Sequence, residues 1–540
     1  MFMTRAGRRA STRLAAAGVT LGALVWAAPL ASANTLGGQA AAGGGGPVAG
    51  PVAGTADGAV RGLAVPISGG AVDEFLGIPY AAPPVGALRW QPPQPAASWS
   101  GVRDATQFAP HCPQLPSPFG LASTSEDCLF LNVFTPKAGA HHPVMVWIHG
   151  GALVTGESND YDPAGLVADG VTVVTINYRL GALGFLAHPA LADANGQSGD
   201  YGLMDQQAAL RWVQRNIASF GGDPHNVTVF GESAGGLSTL SQVASPRARG
   251  LFERAIVESG SYNLTQASLA SAESAGEAFA VKAGCASQSA ACLRSLPVST
   301  ILADQNAAGY TPNINSEVLP ETLGTAFATG SFNRVPIING TNRDEWRLFV
   351  ALSELAGNPV TAANYQSMIS ATLGVPAAAA AIIAAKYPLT AFPGPSVALG
   401  AVGTDAIFAC PALTIDQSVS HFVPTFAYEF NDENAPENFL PPVSFPYGAA
   451  HATEIQYLMG LPTAAFPGML SAPQQQLAAI MKGYWTNFAK RGFPSSFGTP
   501  FWPFFNLTQT MQSLVPSAPR TETDFASTHN CAFWTALEAG

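Results

Sequence analysis

The residue best suited to do chemistry is Ser233. It lies in Gly231-Glu-Ser233-Ala-Gly235-Gly236, directly after the apolar run Val227-Thr-Val-Phe230, and no other Gly-x-Ser-x-Gly pentapeptide occurs in the chain. A strand that turns at once into a helix leaves so little room that glycines must flank the serine. Its hydroxyl then stands on strained backbone at the edge of a sheet. A helix starting just behind it adds partial positive charge and unpaired N–H groups where an oxyanion would form. Ser233 is therefore expected to be a nucleophile. A second apolar run, Val144-Met-Val-Trp-Ile148, ends in His149-Gly-Gly-Ala152 about 80 residues upstream. Backbone without side chains can turn sharply there and point N–H groups at a substrate oxygen, so the oxyanion donors are assigned to Gly151, Ala152 and Ala234.

A serine nucleophile needs a base, and the base needs a carboxylate to orient it. After Ser233 the histidines are His421, His451 and His529. His421 begins an apolar run and His529 neighbours Cys531, so both read as structural. His451 sits among small residues in Tyr447-Gly-Ala-Ala-His451-Ala-Thr-Glu454-Ile455, with room for an imidazole to reach a serine. A histidine base predicts a rate that falls as pH drops through roughly 6 to 7. For the acid, the run Val335-Pro-Ile-Ile-Asn-Gly340 leads into Thr341-Asn-Arg-Asp344-Glu345. Composition does not choose between Asp344 and Glu345.

The elements that must position these groups are short uncharged runs. They are Val144 to Ile148, Val171 to Ile176, Val227 to Phe230, Ala255 to Val257, Val335 to Ile338 and Thr425 to Phe430. Helical patterns alternate with them, as in Asp205 to Ser219, where Leu210, Val213 and Ile217 recur at helical spacing, and Ala377 to Ala385 follows a helix-starting Pro376. That alternation predicts an α/β fold, a mostly parallel sheet with helices on both faces.

The 540 residues are 47% hydrophobic and only 11% charged, which excludes a disordered polyelectrolyte. With 24 basic against 35 acidic residues, the chain lacks the cationic surface that would displace counterions from nucleic acid. Arg5, Arg8, Arg9 and Arg13, the apolar Leu14 to Ala28 and Ala31-Ser32-Ala33 read as a signal peptide over residues 1–33 and a secreted product without a stable membrane anchor. Residues 34–57 read as a flexible Gly/Pro/Ala-rich lead-in, and 58–540 as one domain without internal repeats. In an oxidising compartment the six cysteines are expected to pair by proximity as Cys112 with Cys128 and Cys285 with Cys292, leaving Cys410 with Cys531. No Cys-x2-Cys pair is present and no His pair stands at zinc-ligand spacing near a Cys pair, so no metal is expected, and acyl transfer through an activated serine needs no organic cofactor.

Taken together, the motifs resemble those of the type-B carboxylesterases, the α/β-hydrolase branch that includes cholinesterases, liver carboxylesterases and bacterial para-nitrobenzyl esterases. The resemblance rests on Phe75-Leu-Gly-Ile-Pro-Tyr80-Ala, Pro83-Pro-Val-Gly86 with Leu88-Arg89, Glu126-Asp-Cys-Leu-Phe-Leu-Asn132 and Asn177-Tyr-Arg179. It continues through Gly202-Leu-Met-Asp-Gln206, Phe220-Gly-Gly-Asp-Pro224 and the serine motif, spanning residues 58 to about 535. It implies an α/β-hydrolase fold, the same three disulfides and a Ser233–His451–Glu345 triad. His451 falls in a Gly-x-x-His-x-x-Glu-Ile motif and Glu345 in Asn-x-Asp-Glu, although Trp346 stands where a glycine is usual. Ser259 and Glu454 match positions that brace the triad in this family. The implied activity is hydrolysis of small neutral esters of short to medium acyl chain or bulky shape by a monomer. A lipase or polyester hydrolase of the same family, or a neuroligin-like binding protein that kept the fold, are the alternatives.

Overall fold

Strands that are covered by helices on both faces have no polar side to show, and the interior strands here are buried at nearly every position. The computed structural model describes residues 50–539 except 68–69, 138 and 306–309. The expected signal peptide and residues 34–49 of the lead-in lie outside them.

The central sheet contains eleven strands among the described residues. They are β1 (Leu63–Ile67), β2 (Gly70–Pro79), β3 (Phe130–Pro136), β4 (His142–Ile148), β5 (Thr172–Ile176), β6 (Gly222–Glu232), β7 (Arg254–Glu258), β8 (Ile337–Asn342), β9 (Thr425–Phe430), β10 (Met511–Leu514) and β11 (Arg520–Glu522). Their spatial order is β11-β10-β9-β8-β7-β6-β4-β5-β3-β2-β1. The block from β10 to β5 is parallel, with antiparallel strands at both edges. This is the α/β architecture that the alternation of patterns predicts.

Side chains alternate across each strand and so feed two cores. Val144, Val146, Ile148, Val227, Val229, Ala255 and Val257 pack on one face against α1 (Tyr201–Asn216) and α2 (Ala234–Ala244). Met145, Trp147, Phe230, Ile256, Ile338, Phe426 and Tyr428 pack on the other against α3 (Ala472–Arg491). Helix α3 starts with a Ser471–Gln474 capping box and stops at Gly492, whose φ of 73° suits a residue without a side chain. A third cluster gathers Trp346, Phe408, Tyr387 and Trp534 around the Cys410–Cys531 disulfide. The other bridges join Cys112 to Cys128 and Cys285 to Cys292, the pairs expected from their positions. The helical run Pro395–Val419 is long and apolar enough to cross a bilayer, yet most of it is buried inside the fold.

Two sequence readings change. Residues 50–57, read as lead-in, are ordered: Val52–Thr55 pairs antiparallel with Gly58–Arg61. The two-residue Ala56-Asp57 turn closes this hairpin, with the Thr55 hydroxyl donating to the Gly58 carbonyl at 2.7 Å. The glycine-rich composition upstream masked that signal. The strand read at Val335 to Ile338 runs from Ile337 to Asn342, because pairing with β9 extends through polar Thr341 and Asn342.

Candidate active site

Register brings the chemical residues to one end of the sheet. Gly231 of β6 pairs with Ile148 of β4, Glu232 with Glu258 of β7, and Glu258 with Gly340 of β8. Beyond β6 the chain turns at Ser233 with φ 55° and ψ −119°, and α2 begins at Ala234. No ordinary L residue prefers that conformation, and its N–H donation to the Glu258 carbonyl at 2.8 Å helps hold it. The pentapeptide needs its last glycine for packing: a Cβ on Gly235 would stand 1.9 Å from the Ile148 carbonyl oxygen.

The loop after β4 is equally constrained. Gly151, Ala152 and Leu153 have φ of 95°, 54° and 61°. A Cβ on Gly150 would lie 3.3 Å from the Ser233 Cβ, so this loop abuts the serine. Ala234 is the first residue of α2, and its N–H has no acceptor within the helix. His149 is buried and stacked on Tyr178 at 4.5 Å between centroids; burial lowers its pKa to about 4, so it stays neutral.

Glu345 and His451 meet directly. The imidazole Nδ1 is 2.5 Å from Glu345 Oε2. Glu345 Oε1 accepts from the Thr341 hydroxyl and the Asn342 N–H, both at 2.7 Å. Asp344 faces elsewhere, paired with Arg347 at 2.7 Å and accepting from the Ala449 N–H at 3.0 Å. Geometry thus separates two acids that composition left equivalent. Trp346 fits because Gly403 lies beneath its ring, where a Cβ would come within 2.1 Å of the indole. The ring stacks on Phe349 at 4.4 Å, while Phe349 and Phe408 reach within 5.3 and 5.0 Å of the His451 ring.

The second imidazole nitrogen does not bond Ser233. It faces Glu232 Oε1 at 3.2 Å, while the Tyr262 side chain lies near the Ser233 hydroxyl. Catalytic hydrogen bonds are often long or misaligned until substrate binds. Neither Glu232 nor Tyr262 was singled out from sequence. Glu232 is the variable position of the pentapeptide, and Tyr262 belongs to no motif.

Four glutamates, Glu232, Glu258, Glu345 and Glu454, are buried here. Burial and the nearby Glu454 push Glu258 to about 8, against a hydrogen bond from Trp485. Burial and Glu345 raise Glu454 to about 7, while Asn342 and His451 oppose the shift. Burial also drives Glu232 well above the usual carboxylate range, against the pull of His451. For His451 burial favours the neutral ring, but Glu232, Glu345 and Glu454 outweigh it and raise its pKa to about 9. Glu454 accepts from the Asn342 side chain, whose backbone N–H serves Glu345, so it touches the acid at one remove. The Ser259 hydroxyl is buried and has no hydrogen-bond partner among the described residues.

The carboxylesterase family profile matches residues 49–534. The chain belongs to the carboxylesterase family. It is a carboxylic-ester hydrolase, and its relatives agree. This esterase is 36% identical over 529 residues to the cocaine esterase of Homo sapiens, covering 90% of this chain and 91% of the relative. It is 36% identical over 473 residues to the para-nitrobenzyl esterase of Bacillus subtilis, covering 82% and 91%. A 36% identity over 492 residues relates it to the acylcarnitine hydrolase of Mus musculus, covering 85% and 86%.

Proposed function

We propose that the esterase is secreted and hydrolyses neutral esters of short to medium acyl chain or bulky shape through a Ser233–His451–Glu345 triad and an acyl-enzyme. The observation that carries the reading is the 2.5 Å contact of His451 with Glu345 beside a serine on left-handed backbone. In the reaction the His451 ring moves off Glu232, and its Nε2 takes the Ser233 proton as Oγ attacks the ester carbonyl. The N–H groups of Gly151, Ala152 and Ala234 receive the oxyanion. His451 then protonates the departing alcohol, and water, deprotonated by the same nitrogen, releases the acid. The wall of Phe349, Phe408 and Tyr262, in which Tyr262 packs 5.4 Å from Phe408 and both phenylalanines lie against the His451 ring, supports apolar substrate groups there. Three disulfides support an oxidising destination. The test is Ser233→Ala in the folded mature enzyme. It should lose at least about 10³-fold in kcat on para-nitrophenyl butyrate, because the covalent route disappears. Near-normal turnover would remove Ser233 from the mechanism.

A further inference from the structure

Three successive residues, Gly151, Ala152 and Leu153, sit in left-handed backbone, and two of them carry side chains that disfavour it. Such strain persists only where surrounding contacts over-determine it. At the near end, the Tyr178 hydroxyl donates to the His149 carbonyl at 2.9 Å. At the far end, the Gly151 carbonyl accepts from the N–H groups of Val154 and Thr155, both at 3.0 Å, which closes the turn on Thr155-Gly156.

What grips that closing dipeptide comes from elsewhere in the chain. Gln114 is 1% exposed, and its amide is spent almost entirely there. Its Oε1 accepts from the Thr155 hydroxyl at 2.6 Å and the Gly156 N–H at 2.7 Å, and its Nε2 donates to the Gly156 carbonyl at 3.1 Å. A carboxamide carries an acceptor and a donor on one fork, which here meet the N–H and the carbonyl of Gly156. Gln114 is itself fixed within the Cys112–Cys128 loop, exchanging backbone hydrogen bonds with Ser123 at 3.0 Å each way. Ser117 of the same loop meets the Thr155 hydroxyl at 2.8 Å.

We infer that Gln114 is a positioning residue for catalysis: through Thr155 and Gly156 it holds the loop 150–153 in the conformation that presents its N–H groups to the oxyanion. This rests on the oxyanion assignment proposed above. The disulfide loop is then a brace for the transition state. Substrate binding does not need the brace, whereas the tetrahedral intermediate does.

The test uses the full mature enzyme, with rates normalised to active sites titrated by an organophosphate. Gln114→Leu keeps the volume and removes the fork; Thr155→Val removes one arm, and Thr155→Ser restores it. Gln114→Leu should lower kcat about 10- to 100-fold, the scale on which a misplaced catalytic group is felt, and leave KM within about threefold. Affinity for a trifluoromethyl ketone, which forms a tetrahedral adduct on the serine, should fall by the same factor as kcat. Thr155→Val should show a smaller loss of the same kind, and Thr155→Ser should match the parent enzyme. If Gln114→Leu does not fold, Thr155→Val and Thr155→Ser decide the matter. Unchanged kcat and ketone affinity per titrated site, or a loss confined to KM or thermal stability, would overturn the inference. An active Ser233→Ala enzyme is a separate failure, of the nucleophile reading itself.

Discussion

Replacing Glu345 by Gln changes one atom and should nearly abolish turnover, for a reason visible in the hydrogen-bond directions. Oε1 of Glu345 accepts two donors, the Thr341 hydroxyl and the Asn342 N–H, and Oε2 faces His451 Nδ1 at 2.5 Å. The Asn342 N–H can only donate, so the glutamine oxygen must take the Oε1 place and its NH2 group must face His451. Nδ1 then becomes an acceptor, the ring proton moves to Nε2, and that nitrogen can no longer receive the Ser233 proton. Keeping the working tautomer instead sets N–H against N–H in a buried site, at about 1–3 kcal/mol for an unmet donor. In addition, the imidazolium formed during attack loses a carboxylate partner worth about 4 kcal/mol at a protein-like dielectric. The total, about 5–7 kcal/mol, corresponds to roughly 10⁴- to 10⁵-fold in kcat. Steady-state kinetics on para-nitrophenyl butyrate, with circular dichroism and melting curves to verify folding, would measure it. Asp344→Asn serves as the control and should stay within about tenfold of the parent, because Asp344 contacts Arg347 and Ala449 rather than the imidazole. A Glu345→Gln enzyme within tenfold of the parent, or an equal loss in Asp344→Asn, would refute this account.

The acid limb of kcat/KM should lie above the ordinary histidine value of 6.5, and so above the range of 6 to 7 read from sequence, because neighbouring carboxylates raise His451 to about 9 and only the neutral ring is a base. Glu232→Gln should move that limb to lower pH; a limb that stays in place would exclude Glu232 as a cause. Butyrylcholine should be a poorer substrate than an aliphatic butyrate ester, since Phe119, the sole aromatic of the first disulfide loop, packs on Phe439 at 5.4 Å and Leu348 is buried. A tenfold or greater preference for the choline ester would contradict this. Far from the serine, His529 is ion-paired at 2.7 Å to both Asp405 and Glu429; burial opposes its charge, but these partners raise its pKa to about 10. Its folded pKa exceeds the unfolded one, so its contribution is complete below about pH 6.5 and is lost as pH rises through about 10. Urea midpoints should fall across that window in the parent and fall less in His529→Asn, which should also be less stable at pH 6; parallel curves would count against the pairing.

How much the sequence determined depends on the range over which each requirement acts. The serine turn was legible because its constraint is local: a strand, a left-handed residue and a helix start must fit in a few peptide units, and only glycine fits the closest approaches. Burial on two faces likewise leaves its mark in each interior strand as an apolar run. The boundaries were less legible. The hairpin at Val52–Thr55 lay hidden in glycine-rich composition, and β8 extends through Thr341 and Asn342 because its partner strand, not its own residue types, sustains it. The choice between Asp344 and Glu345 needed the family resemblance in sequence, and contact distances in the structure. Nothing local marked Glu232 against His451, Tyr262 at the nucleophile, or Gln114 clasping Thr155 and Gly156. Those pairs form because strand register and loop docking bring distant segments to one end of the sheet. A side chain's partner across such a junction is a property of the packed whole, since moving a strand by one residue turns every side chain to the other face.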